Sequence, residues 1–599
     1  MTPGAPAVPA APAGLPARLA ARVGLPALQR WLERRDWDEG TLLLVVGTLL
    51  GIASGLAVVA FYRLIDLSHL VFVEWAGGHL AWRVLYWPVL TALGMLAAWL
   101  VVRRTGIPDG QNVPDVQRAV AKHDAVVPTR PVAARTLASA ITLGAGGSAG
   151  SEGPVAVLGA TLGSVLGRRL RIRARHRKVL VGCGAAAGIA AAFNAPFAGA
   201  FFALEEILGS FSTGAFSPVV IASVVGALTA RTFLGDHTIF HLPSVPETHP
   251  VASALLYPIL GVACGVVSAL YARAYLDAPA LVRRLPGPEW LRPLAGGALV
   301  GGIVAASGGL LVGNGHLAIP APVFGQLAWW ALLLLALAKI VATVVTLSAG
   351  GSGGVFTPTL FVGAALGGGV GVLIAKLVPG GVVQPHAWAL VGMAGLVAGA
   401  TRAPLTAIFM VFEITDDPDY IAPLIIVAVV SLVTARRLTP HGLYDGWLAR
   451  RGEHLAHGVD QSVMDHLAVA GAVERDVPVV RAGAPLTDVV AAAARSHHTV
   501  LAVVDEGDTL VGLASYQGLR EAFTARGAVE TLLLAEDFAE PVEPLRPHQS
   551  LREALAAMNA RGLDALPVVE PRDGRDVFVG LLSRAAVLRA YERGLAYAV

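Results

Sequence analysis

The sequence predicts an all-α domain that crosses a membrane many times, followed by a cytoplasmic α/β module. Three observations lead there. Apolar runs follow one another closely from residue 41 to 436, an internal duplication relates two parts of that stretch, and after Gly446 the charges rise and the long apolar runs stop.

Composition sets the first bounds. The chain has 599 residues, of which 55% are hydrophobic and only 15% charged, against about 25% charged in soluble domains. TLLLVVGTLLGIASGLAVVAFY (41–62) and WWALLLLALAKIVATVVTL (329–347) are each long enough to cross a hydrocarbon core, which takes about 20 residues. A net charge of +3 is too small to argue for nucleic acid. Basic residues cluster in RRLRIRARHRK (168–178) and at Arg436, Arg437, Arg450 and Arg451; the positive-inside tendency assigns both clusters to the cytoplasm. Cys183 and Cys264 lie in apolar segments, where a thiol is a small packing group, so no disulfide, metal or redox role is read. Residues 1–38 begin MTPGAPAVPAAPAGLPARLAAR, rich in Pro and Ala and without the apolar core of a signal peptide. They are expected to form a disordered cytoplasmic tail, with 42–62 a retained membrane helix.

The duplication comes next. GGSAGSEGPVAVLGATLGSVLG (146–167) and GGSGGVFTPTLFVGAALGGGVG (350–371) share ten of 22 positions without a gap, among them Pro154/Pro358, Gly159/Gly363 and Gly163/Gly367. GAAAGIAAAFNAPFAGAFFALEE (184–206) and GMAGLVAGATRAPLTAIFMVFEI (392–414) share eight of 23, with Pro196/Pro404 and Glu205/Glu413 in register. Two related halves are a transporter's way of building a midplane site from broken helices. Sequence alone leaves the sense of the repeat, inverted or parallel, open.

In each half a Gly-rich stretch and a proline precede an apolar run of helical length. Proline fits a helix's first turn and glycine lets backbone approach a ligand. GSEGP and GSGGVFTP therefore read as two helix N-termini inside the membrane, whose exposed amides and dipoles would hold an anion with almost no side-chain charge. Glu152 stands in one of them. Its carboxylate can occupy such a site itself, and protonation would release it: a gate and a proton carrier at once.

These residues resemble the CLC family of chloride channels and proton-coupled chloride antiporters. The match rests on GSEGP (150–154), GSGGVFTP (351–358), GQNVP (110–114) and Tyr444 in HGLYDGW, in the expected order over residues 40–450. The resemblance implies the CLC fold, with many tilted and broken helices in an inverted repeat across residues 39–446, and a homodimer with one pathway per subunit. It implies chloride and protons as the transported species, at the plasma (inner) membrane if the source is prokaryotic. Glu152 would be the external gating glutamate and Glu206 the internal proton-transfer residue. Gln111, Gly153, Val355, Phe356, Thr357 and Tyr444 would line the anion path, with the Val355 and Phe356 amides holding the central ion.

Two departures stand out. The family's usual GSGIP is GQNVP here, so Gln111 replaces a hydroxyl donor and Asn112 a glycine, which leaves anion preference open among chloride, nitrate, bromide and fluoride. Ser151 stands where an arginine usually precedes the gating glutamate, and this changes gating or pH response in a direction the sequence does not give. A carboxylate at Glu206 matches proton-coupled members, which favours exchange; the alternative is a passive voltage- or pH-gated channel. Glu413, the mate of Glu205, reads as structural.

Residues 447–463 read as a linker. Beyond it, 485–523 and 550–591 repeat a pattern of helix, strand (LAVVD, ALPVVE), acidic turn, strand (LVGLAS, FVGLLS), helix. This resembles a tandem CBS pair, over 464–530 and 535–595. CBS pairs often bind adenine nucleotides through an aspartate three residues after the Ser/Thr of the second strand. Here those positions are Gly518 and Ala586, which argues against a nucleotide and leaves no cofactor expected. His497 and His498 read as surface residues at a helix end rather than a metal site. A CBS-regulated cation transporter would need acidic residues along the membrane segments, and they are few. An intramembrane enzyme finds no HExxH motif and no catalytic Ser/His or Asp/Asp set.

Overall fold

The computed structural model describes residues 39–75, 83–105, 112–235, 250–315, 327–378, 382–453, 464, 467–495, 499–515, 533–572 and 574–598. The expected N-terminal tail, Gln111, His497, His498 and Gly518 lie outside them. The chain divides into two compact units, Met1–Leu455 and Ala456–Val599.

The first unit is helical. Among the described residues, its first eight helices are α1 (Glu39–His69), α2 (Arg83–Arg103), α3 (Val113–Lys122), α4 (Thr129–Gly144), α5 (Glu152–Arg169), α6 (Ala174–Phe193), α7 (Pro196–Phe202) and α8 (Thr213–Leu234). The remainder are α9 (Pro250–Arg284), α10 (Leu291–Ala306), α11 (Trp329–Ser348), α12 (Phe356–Leu377), α13 (Pro385–Thr401), α14 (Pro404–Thr415), α15 (Ile421–Leu438) and the short α16 (Asp445–Ala449). Seven helices among the described residues are long and apolar enough to span a membrane. Large apolar side chains such as Ile52, Leu56, Leu228, Ile259, Leu270, Leu334 and Leu337 face outward, as a lipid-exposed surface requires.

The duplicated segments pack alike. A Cβ at Gly159 or Gly163 would collide with the Gly184 or Leu180 carbonyl of α6, and one at the mates Gly363 or Gly367 with the Gly392 or Trp388 carbonyl of α13. Glycine along one stripe lets each helix pair approach backbone to backbone, which is how membrane helices gain contact where no hydrophobic driving force separates them from lipid.

The two halves grip each other through reciprocal contacts. The Ser148 amide donates to Thr346 Oγ1 at 3.1 Å, and the mate Ser352 amide to Thr142 Oγ1 at 3.1 Å. The Ser148 hydroxyl pairs with Thr343 at 3.0 Å, and Ser352 with Ser139 at 2.9 Å. Gly150 and its mate Gly354 form an antiparallel bridge, each amide donating to the other's carbonyl at 2.7 Å. Swapping the two members of every pair returns the same set, which is the signature of a two-fold axis through that bridge.

Residues 450–453 continue beyond α16 with the membrane unit, and Glu453 pairs with Arg118 at 2.9 Å. The first part of the expected linker is thus structured.

The second unit holds β1 (Val479–Arg481), α17 (Leu486–Arg495), β2 (Val500–Val504) and β3 (Leu510–Ser515), then α18 (Leu551–Arg561), β4 (Ala565–Arg572), β5 (Arg575–Ser583) and α19 (Arg584–Ala598). β1 runs parallel to β2, while β2–β3 and β4–β5 are antiparallel. Asp505 closes the β2–β3 turn by accepting from the Thr509 and Gly507 amides at 2.7 and 2.9 Å; those donors hold its carboxyl below the usual range. Bridges Glu474–Leu581 and Thr509–Val577 tie the two halves of this unit together.

Candidate functional site

The two Gly-rich turns meet where α5 and α12 begin. Glu152 is the first residue of α5 and Phe356 the first of α12, each with its proline two residues on. Glu152 is 2% exposed, so its charge needs partners. The Thr357 amide donates to Oε2 at 3.2 Å, the Thr357 hydroxyl donates to Oε1, and the Ser151 hydroxyl donates to Oε1 at 2.8 Å. A carboxylate from one half therefore sits on the N-terminus of a helix from the other. Any Cβ at Gly150 would strike Glu152 Oε2, so only glycine lets the side chain fold in.

Around that carboxylate lie the other expected residues. Gly153 touches Gly354 across the bridge. Val355 caps α12, and among the described residues the amides of Val355 and Phe356 meet no acceptor. These two N–H groups and Thr357 present three consecutive donors at the positive end of a helix dipole, a place suited to a monovalent anion. The Phe356 ring is wedged edge-on against Phe193 and Phe202, which fixes the start of α12. Tyr444 is buried just ahead of α16, where its hydroxyl feels the charge of both Glu206 and Glu152. Asn112 caps α3, its amide donating to Asp115 at 3.1 Å. Gln111 cannot be placed in this arrangement.

Glu206 is 7% exposed. It lies on a π-turn, Ala203–Ile207, that follows α7; π-turns insert an extra residue per turn and recur at functional sites. The turn sends adjacent glutamates opposite ways. Glu206 accepts from Gln117 Nε2 at 3.0 Å, and Gln117 also donates to the Glu206 carbonyl at 2.8 Å. Glu205 instead crosses to the other half, where it accepts from the Leu405 and Thr406 amides at 3.2 and 2.9 Å and from the Thr406 hydroxyl at 2.7 Å. Its mate Glu413 accepts from the Phe197 and Ala198 amides at 2.9 and 2.7 Å. Each glutamate caps the first turn of the opposite half's broken helix, α14 or α7.

The sequence reading missed Lys339. It is fully buried in α11, donates to the Leu311 and Gly313 carbonyls at 3.2 and 2.9 Å, and lies over the Phe361 ring at 5.5 Å. Its charge reaches Glu152. One lysine in an otherwise apolar run was the available signal. Gln117 carried none.

In the second unit, Ser583 donates to Glu474 at 2.7 Å and accepts from the Ala586 amide at 3.1 Å. Among the described residues no three His, Cys, Asp or Glu side chains gather as a metal site.

The chain matches the family described as voltage-gated chloride channel over residues 93–436, and the CBS domain over 469–525 and 535–593. It is 33% identical, over 68% of its own length and 97% of the relative's, to a putative chloride channel protein ClcB-like of Ralstonia nicotianae. To the H(+)/Cl(-) exchange transporter ClcA of Cronobacter sakazakii it is 32% identical, over 71% of this chain and 92% of that one. Among solved structures, a slow cyanobacterial Cl-/H+ antiporter superimposes with a TM-score of 0.61 at 24% identity, covering 68% of this chain and 97% of the other.

Proposed function

This chain belongs to the voltage-gated chloride channel (CLC) family, and from that membership we propose that it exchanges chloride, or a similar monovalent anion, for protons across the membrane. One observation carries the reading: the Glu152 carboxylate rests on the Thr357 amide and hydroxyl at the start of α12, next to the Val355 and Phe356 amides that an anion would use. Anion and carboxylate cannot both fill that place, so each proton that neutralises Glu152 admits an anion. Glu206, buried behind Gln117, takes protons from the inner side and passes them along water toward Glu152. Tyr444, within electrostatic reach of both glutamates, donates to the anion from below. Exchange is also the activity in the printed name of the Cronobacter sakazakii relative.

The basic stretch from Arg168 to Lys178, which ends α5 and begins α6, supports a cytoplasmic inner face, with the N-terminus and CBS unit on the same side and, in a prokaryotic cell, the plasma membrane as the site of action. A second copy of the chain completes a homodimer with one pathway per subunit. The CBS pair serves stability rather than nucleotide binding: the Ser583 hydroxyl is already engaged by Glu474, and Ala586 offers no carboxylate to a ribose.

Flux from liposomes containing the full chain tests the reading. A chloride gradient is expected to drive proton uptake. Glu206→Gln should abolish proton movement while chloride flux persists, and Glu152→Gln should leave chloride flux uncoupled. Chloride flux with no proton movement in the unsubstituted protein would leave a channel, and strict coupling in Glu152→Gln would remove Glu152 from the pathway.

A further inference from the structure

The donors on Glu152 are not equivalent. Thr357 contributes two of them from the first turn of α12, and an anion replacing the carboxylate would inherit both. The third, Ser151, comes from the residue next to Glu152 itself, 1% exposed and hydrogen-bonded to Oε1 at 2.8 Å. Behind it stands the Tyr62 hydroxyl of α1, 3.3 Å from Ser151 Oγ and 3.4 Å from the Ala192 carbonyl at the end of α6. When Tyr62 donates to Ser151 rather than to Ala192, the Ser151 proton is committed to Glu152, so the two hydroxyls form a chain that ends on the carboxylate.

We propose that Ser151, steadied by Tyr62, is a neutral latch that sets how firmly Glu152 holds the anion's place, and through it the pH at which transport switches on. The inference rests on the exchange reading above. A hydroxyl donating to a carboxylate bonds roughly twice as strongly as one donating to the neutral acid. Ser151 therefore favours the ionised, pocket-filling form of Glu152 over the protonated form that leaves. The residue acts by geometry, without the charge an arginine would bring, so it strengthens the occupant without adding a cation that would attract chloride as well. The other titratable or charged groups facing Glu152 are Tyr62 from α1, Lys339 from α11 and Tyr444 ahead of α16; all three remain when Ser151 is changed.

The test is chloride flux against pH for the full-length protein in liposomes. Ser151→Ala is expected to move the half-maximal pH upward by about one unit, about tenfold in proton concentration, as loss of one charge-assisted hydrogen bond implies. At neutral pH its apparent KM for chloride should fall several-fold, while the maximal rate in acid stays unchanged. Ser151→Thr should restore the original profile, and Tyr62→Phe should shift it the same way by less. A Ser151→Ala profile that superimposes on the unsubstituted one, or a KM that rises, overturns the latch. If Ser151→Ala does not fold, Ser151→Cys, a weaker donor, must give an intermediate shift. Glu152→Gln is run alongside. Persisting coupling there defeats the exchange reading itself, whereas an uncoupled Glu152→Gln beside an unmoved Ser151→Ala defeats only the latch.

Discussion

At the scale of single residues, Lys339 and Ser151 act on one pocket with different logic. The Ser151 bond serves the carboxylate, whereas the buried Lys339 ammonium favours any negative charge there, chloride included. Lys339→Met is therefore expected to raise the chloride KM several-fold, the opposite sign from Ser151→Ala, and concentration dependence of the flux reads it directly. An unchanged KM would mean that Lys339 only ties down the Leu311 and Gly313 carbonyls. Glu152 was legible as a candidate because an ionisable group among glycines is costly unless used, and Glu206 through its match to the pattern of proton-coupled CLC members. Which donors hold Glu152 was not legible, since Thr357 lies 205 positions away and the Ser151 hydroxyl matters only once the side chain folds back.

Among elements, the short helices α7 and α14 show how one device serves two ends. Each begins after a break and has its first amides taken by a glutamate of the other half. Replacing either carboxylate with glutamine removes the charge and an acceptor from a helix N-terminus, a loss of about 2 kcal/mol. Both Glu205→Gln and Glu413→Gln should lower the inactivation temperature of the solubilised protein by a few degrees. Their transport should differ. Glu205 anchors the π-turn that aims Glu206 at Gln117, so Glu205→Gln is expected to lower the proton-to-chloride ratio, and Glu413→Gln to leave it intact. Equal ratios in the two variants would show that the cap supports stability alone. The aligned Glu205/Glu413 pair was visible in the sequence, as were the glycine stripes, because small and charged residues stand out in apolar runs. The inverted sense of the repeat was not, because self-similarity is the same whichever way the second copy points. Reciprocal contacts such as Ser148–Thr346 and Ser352–Thr142 show that a two-fold axis relates the halves.

For the whole molecule the open surface around these caps sets the last expectation. Phe197 and Leu405 begin the two broken helices and are 54% and 36% exposed. Beside them α15 presents Ile421, Ile425 and Val429, α8 presents Ile221, and Phe201 stacks on Phe409 at 4.4 Å. Broken backbone with glutamate caps is costly against lipid, which offers no hydrogen bonds, and is tolerated where protein covers it. On the homodimer proposed above, a second copy of the chain meeting this face about a two-fold axis would supply that cover with a self-complementary patch. Tryptophan distinguishes the two surroundings: lipid accommodates its bulk, whereas a close-packed interface does not. Ile425→Trp combined with Val429→Trp is therefore expected to convert the detergent-solubilised protein from dimer to monomer, read as a halved protein mass by light scattering. Because each pathway is built from Glu152, Thr357 and Glu206 of a single chain, the monomer should still exchange chloride for protons. A dimer that survives both substitutions would assign this face to lipid and place the subunit contact on another apolar surface.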